Sequence, residues 1–397
     1  EISLGLVGSE MCIRDSFKIF DKKNAEKLFG QNLNISASQL EKFNLCRFSY
    51  FCNYGLNVRE RQRAEINPMQ YGTIVHYILE RFFGEYTKEE YLSLEEDKFQ
   101  KIVCAYLAEY AVKYFGEEQL ESNSFTYRLK TILDNVMYLM KHIMEELSQS
   151  EFFVADCELK IGEDIPSYTI VLPDGHKIAV CGSVDRVDIM QRADITYLRI
   201  IDYKTGTKQF KLSDILYGIN LQMLLYLHSI EASGGDKYGE IVPAGILYMP
   251  ATVPYISSDS LKSIDKLPDE LNKKLKMNGL LLKDTEIIHG MDKTDAATYI
   301  PVKIKAGEPV SSTSLATLAE FGKIFKKVDM LIAEMGKNIY NGNIEAKPLK
   351  GGHDSCEYCP YDSVCAYRQS NPITCFSVDN KTVIEEITNE INGKEEE

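Results

Sequence analysis

Apolar residues recur at helical spacing through the first part of the chain. From Phe152 onward the period shifts towards two, so the pattern predicts helices followed by a strand-rich region. Ser36-Ala37-Ser38-Gln39-Leu40-Glu41 opens a helix: Ser36 with Gln39, or Ser38 with Glu41, makes a capping box. Leu40, Phe43 and Leu45 carry its apolar side to Cys46. An aromatic stretch (Phe48, Tyr50, Phe51, Tyr54) runs to Gly55, and Arg59, Arg61 and Arg63 fall in a polar loop before Pro68. Gly72 to Phe83 reads as a second helix. Residues 87–150 read as two or three amphipathic helices, broken around Gly116 to Ser124, and form a helical insertion.

Strands are predicted at Phe153 to Ile161, Tyr168 to Leu172, Lys177 to Met190 and Thr196 to Tyr203. Pro173-Asp174-Gly175 is a turn between two of them. Asn220 to Ile230 is helical, Gly245 to Tyr248 a buried strand, and Ser314 to Ile339 a long helix. Residues 255–310 show no clear period, and 341–370 are loop-rich and bear cysteines. No internal repeat or low-complexity linker appears. One elaborated domain over residues 17–375, followed by an acidic tail over 376–397, accounts for this order.

Composition narrows the class. The chain has 397 residues, 44% of them hydrophobic, enough for a large core. It lacks both an uncharged apolar run of about 18 residues and a secretory signal, so it predicts a cytoplasmic protein. Ser3 to Ser16 (SLGLVGSEMCIRDS) is foreign to the rest and resembles a translated sequencing adapter. The natural chain is therefore expected to begin near Phe17, with an N-terminal part missing. A net charge of −14 argues against a non-specific nucleic-acid binder. Residues 17–70 are nevertheless basic, with nine Lys/Arg against five Asp/Glu. Ten cysteines without an export signal point to a reducing compartment, where clustered thiols more often bind metal than form disulfides.

The chemistry centres on Asp202-Tyr203-Lys204, at the end of a predicted buried strand. Alternation puts Asp202 and Lys204 on one face. Such a pair suits metal-assisted phosphodiester cleavage, with the carboxylate on Mg²⁺ and the lysine at the water or phosphate. The same tripeptide also reads as an ordinary strand-end ion pair. A hairpin can bring Asp185, from Gly182-Ser183-Val184-Asp185-Arg186-Val187-Asp188, beside Asp202; two carboxylates then offer oxygen ligands to Mg²⁺ or Mn²⁺. Asp188 reads as a partner of Arg186. Gln222 and Tyr226 share a helix face, positioned for phosphate or base contact or simply part of an amphipathic helix. His76, in an apolar helix, is either a core residue or a ligand. Cys356, Cys359 and Cys365, spaced C-x2-C-x5-C, point to a metal needing one more ligand. Cys46, Cys52, His353 or Cys375 can supply it, and spacing does not separate zinc from a [4Fe–4S] cluster. Cys104, Cys157 and Cys181 read as core thiols.

Six motifs in order make the chain resemble the RecB-like branch of the PD-(D/E)XK nucleases, and within it the AddB type. They are Ser36 to Cys46 (S-x-S-x-L-x-x-F-x-x-C), Gly72 to His76, Gly182 to Asp188, Asp202 to Gly206, Gln222 to Tyr226 and the cysteine trio. The resemblance implies an α/β fold, a central mixed sheet flanked by helices, with the helical insertion and an Fe–S staple. It implies a [4Fe–4S] cluster on Cys46, Cys356, Cys359 and Cys365, although Arg47 stands where the family often has proline. It maps metal ligation onto His76, Asp185, Asp202 and the Tyr203 carbonyl, water orientation onto Lys204, and the helical pair onto Gln222 and Tyr226. The implied activity is Mg²⁺-dependent 5′→3′ DNA exonuclease action in double-strand-break repair, with AddA as the partner. The chain has no Walker A motif, so unwinding would come from missing sequence or the partner. A stand-alone nuclease of the CRISPR adaptation type and an inactive DNA-binding scaffold are the rival readings.

Overall fold

The computed structural model describes residues 18–19, 21–59, 68–116, 122–206, 209–254, 267–311, 313–365, 367 and 372–395. The adapter-like Ser3 to Ser16, Arg61 and Arg63, and the centre of the break between Gly116 and Ser124 lie outside the described residues.

The capping box forms on Ser36, whose amide donates to Gln39 Oε1 at 2.8 Å, while the Gln39 amide donates to Ser36 Oγ at 3.4 Å. Before it lie helix α1 (Lys22–Phe29) and strand β1 (Asn32–Ile35); the capped helix is α2 (Ala37–Leu45). Next come α3 (Pro68–Glu85), α4 (Glu96–Phe115) and α5 (Asn123–Ser148). The described residues of the 87–150 stretch are thus mostly helical, as their spacing predicts.

Six strands build the main sheet. They are β2 (Phe153–Ile161), β5 (Gly182–Arg192), β6 (Ile195–Lys204), β7 (Glu240–Pro250), β8 (Asn278–Leu282) and β9 (Leu315–Ala316). Their spatial order is β9-β8-β7-β6-β5-β2. Strand β5 pairs antiparallel with both β2 and β6, whereas β6 and β7 run parallel. A parallel pair needs a crossover, and α6 (Gln222–Ser233) supplies it. The sheet is therefore mixed and flanked by helices. A second sheet holds β1, β4 (Lys177–Val180) and β3 (Thr169–Val171), in that order.

The stretch predicted as one strand over Lys177 to Met190 is divided at Cys181 and Gly182. Its first half pairs with β1 and its second with β2 and β6. Gly182 marks the change because a Cβ there would lie 2.2 Å from Tyr226 Oη. In the unassigned 255–310 region β8 is an apolar run, Gly279 to Leu282 being fully or nearly buried. A short run buried on both faces has no alternation to read.

Helix α7 (Leu318–Tyr340) begins with a capping box between Thr317 and Glu320 and packs on α6. The segment expected as an acidic tail folds instead as α8 (Asn380–Glu395) against α7. Val383 and Ile387, one turn apart, are fully buried, and Glu390 pairs with Lys327 at 2.5 Å. Acidic residues occupy its outer side, so net charge hides the apolar stripe. Among the described residues no helix is long and apolar enough to cross a membrane.

Candidate active site

Antiparallel pairing aligns an acidic row across three strands. Cys157 faces Arg186 and Leu159 faces Val184, which places Glu158 opposite Asp185. Arg186 faces Ile201, which places Asp185 opposite Asp202. Like charges facing each other across strands destabilise a sheet, so the row calls for compensating cations or protons.

His76 of α3 supplies part of it. Its Nδ1 lies 2.8 Å from Glu158 Oε1 and its Nε2 lies 3.6 Å from Asp185 Oδ2. Ser183 Oγ donates to the other Glu158 oxygen at 2.9 Å, and the Tyr203 amide donates to Asp185 Oδ2 at 2.9 Å. Burial, then the Asp202 carboxylate, pushes Asp185 up to about 7. Burial opposes protonation of His76, but the Glu158 hydrogen bond and the nearby carboxylates outweigh it and raise its pKa. Glu158 is half-buried, which favours its acid form; its bonds to His76 and Ser183 prevail and lower it.

Alternation puts Asp202 and Tyr203 on opposite faces of β6. On one face α6 presents Gln222, whose Nε2 donates to Asp202 Oδ1 at 3.1 Å. On the other, the His76 ring meets the Tyr203 ring edge-on at 5.8 Å. Lys204 Nζ lies 2.5 Å from Asp202 Oδ2, yet that buried oxygen has no well-formed hydrogen bond.

Among the described residues, His76, Glu158 and Asp185 are the group of His, Cys, Asp or Glu whose ligand atoms all lie within 4.8 Å of one another. One imidazole nitrogen and two carboxylate oxygens suit a divalent ion of the Mg²⁺ or Mn²⁺ kind. Asp202 stands one strand further on, held by Lys204 and Gln222. It is the amide of Tyr203 that reaches Asp185. Tyr226 is buried, its hydroxyl packed above Gly182. Asp188 joins a fully buried quartet with Arg186, Arg199 and Glu146. Arg186 donates to both Asp188 oxygens at 2.7 Å, so Asp188 is the ion-pair partner its neighbour predicts.

Glu158 is absent from the residues singled out by sequence. In regular alternation it falls with Asp156 and Lys160 on the polar side of β2. Its φ of +51° breaks that alternation, and no sequence pattern announces it.

The cysteine expectation is corrected. No cysteine belongs to the ligand group formed among the described residues, so Cys46, Cys356, Cys359 and Cys365 do not assemble the expected [4Fe–4S] site. All nine described cysteines are free. Burial raises the pKa of the Cys46, Cys356 and Cys365 thiols. Hydrogen bonds join the two ends of the domain instead: Tyr361 Oη donates to the Val58 carbonyl at 2.7 Å. The close spacing of the trio reflects tight turns, in which the Cys359 amide donates to the Cys356 carbonyl and the Cys365 amide to the Tyr361 carbonyl.

A mixed sheet carrying an acid row and an Asp-x-Lys strand end matches the architecture of a nuclease family. The chain belongs to the PD-(D/E)XK nuclease superfamily, which it matches over residues 34–366. It is similar to the B subunits of ATP-dependent helicase/deoxyribonucleases. One, from Thermoanaerobacter sp. (strain X514), is 34% identical over 88% of this chain and 31% of its own length. Another, from Clostridium kluyveri (strain NBRC 12016), is 34% identical over 96% of this chain and 34% of its own. A third, from Alkaliphilus oremlandii (strain OhILAs), is 32% identical over 93% and 33% respectively. The chain thus spans about one third of the length of these relatives.

Proposed function

We propose that this chain is the nuclease part of an AddB-type protein, a divalent-metal-dependent deoxyribonuclease that acts on DNA ends. The observation that carries the reading is the His76–Glu158–Asp185 group beside the Asp202–Lys204 pair. His76, Glu158 and Asp185 would hold Mg²⁺ or Mn²⁺, with Asp202 completing the set. When bound, the ion supplies Lewis-acid polarisation of the phosphate and a more acidic water. Lys204 orients the attacking water and offsets charge on the phosphate oxygens. Gln222 fixes the Asp202 carboxylate through Oδ1, and the Tyr203 amide fixes Asp185. Tyr226 acts through packing, holding α6 at the head of β5.

Exonucleolytic action with 5′→3′ polarity, a role in double-strand-break repair, and assembly with an AddA-type helicase–nuclease follow from likeness to the AddB type. The relatives' names, which join a helicase to a deoxyribonuclease and designate one of its subunits, support a partner and a DNA substrate. End-labelled DNA incubated with the chain and Mg²⁺ tests the activity. Progressive shortening from the 5′ end, abolished by a chelator, is expected. Metal-independent cleavage, or none with Mg²⁺ or Mn²⁺ in the complete complex, would contradict it.

A further inference from the structure

The cleft at the acidic row has an aromatic lining that the chemistry leaves unused. His76, Glu158 and Lys204 line this space of about 740 Å³ together with Tyr77, Tyr110 and Tyr114. Packing accounts for two of these tyrosines. Tyr77 Oη donates to Glu109 Oε1 at 2.6 Å, and the buried Tyr110 ring meets the Tyr77 ring edge-on at 5.2 Å. Tyr114, at the end of α4, is 55% exposed. Its ring lies 4.4 Å from that of Tyr110, tilted by 35°, and Lys113 Nζ stands 5.1 Å from its centroid. Tyr110 packs on this ring and Lys113 Nζ stands over it, yet more than half of the residue remains exposed.

We propose that Tyr114, backed by Tyr110 and flanked by Lys113, stacks an unpaired base of single-stranded DNA and sets the adjoining phosphate towards the acidic row. This rests on the nuclease reading and names its substrate class. In a duplex both faces of each base are occupied by stacking, so an aromatic wall inside the cleft can engage only a separated strand. Charge alone is a poor source of affinity here. The chain carries −14 overall, and the cleft floor holds carboxylates. Stacking requires no net charge and tolerates any sequence, as an end-degrading enzyme needs. Lys113, whose Nζ stands over the ring, supplies a cation that a neighbouring phosphate could meet.

The test uses the full chain with Ca²⁺ for binding and Mg²⁺ for cleavage. The probes are an oligothymidylate carrying 2-aminopurine and a blunt duplex of the same length. Tyr114→Ala is expected to weaken single-strand binding about ten-fold, to shift KM more than kcat, and to lose the fluorescence quenching of a stacked 2-aminopurine. Tyr114→Phe keeps all three properties and Tyr114→Leu does not. Unchanged binding and quenching in Tyr114→Ala would overturn the proposal, as would a Leu variant equal to Phe. Should Tyr114→Ala fail to fold, the Phe and Leu pair decides. A wild type that neither binds nor cleaves removes the nuclease reading and this inference together. A wild type that does both, with Tyr114→Ala unchanged, removes only the inference.

Discussion

One backbone angle decides the make-up of the acidic row. Glu158 at φ +51° occupies the left-handed region, which costs a non-glycine residue about 1–2 kcal/mol. The bonds to His76 and Ser183 hold it there. Glu158→Gln keeps the shape and removes the charge, so Mn²⁺ affinity measured by titration calorimetry should fall roughly ten-fold or more. An unchanged affinity would take Glu158 out of the ligand set. Asp185 gives the site its pH dependence. With its carboxyl pushed up to about 7, the metal-free site is protonated below that pH. A cation must displace this proton. Metal affinity should therefore rise as pH increases through about 7, and level off only once His76, whose pKa is also raised, has lost its proton. Asp185→Asn should weaken binding and flatten the profile.

Among the elements, the acids are positioned from beneath by the buried quartet of Arg186, Asp188, Arg199 and Glu146. Arg186 follows Asp185 on β5, and its Nη1 donates to Tyr203 Oη at 3.2 Å, on the residue whose amide holds Asp185. The quartet ties α5 to β5 and β6. Removing one member leaves an uncompensated buried charge, so Arg186→Met should lower unfolding stability by about 3–5 kcal/mol, measured by urea denaturation. A loss below about 1 kcal/mol would mean that water reaches the network. The change from β4 to β5 depends similarly on Gly182, where any Cβ collides with Tyr226. Gly182→Ala should displace α6 and lower both stability and activity, and Tyr226→Phe in the same chain should restore little, because the ring remains.

Across the whole molecule, what could be read in the sequence was whatever local pattern determines. The Ser36 capping box, the Phe153–Ile161 strand and the spacing of Asp202 and Lys204 depend on neighbours in the chain, and they appear as expected. β8 lacked alternation because both its faces are buried, and α8 was hidden by the acids around Val383 and Ile387. Glu158 needed a backbone conformation that composition does not encode. The cysteines misled for the opposite reason, since close spacing in sequence did not become one ligand group in space. Everything functional turns on whether Lys204 beside Asp202 serves phosphodiester cleavage or is only a strand-end ion pair. The deciding assay is cleavage of end-labelled DNA in Mg²⁺ by Lys204→Ala, with metal binding and folding checked on the same preparation. The variant should fold and bind Mn²⁺ but lose cleavage by at least about a hundred-fold, the scale of a lost positioning or charge-stabilising group. Cleavage at the wild-type rate would contradict the role assigned to Lys204.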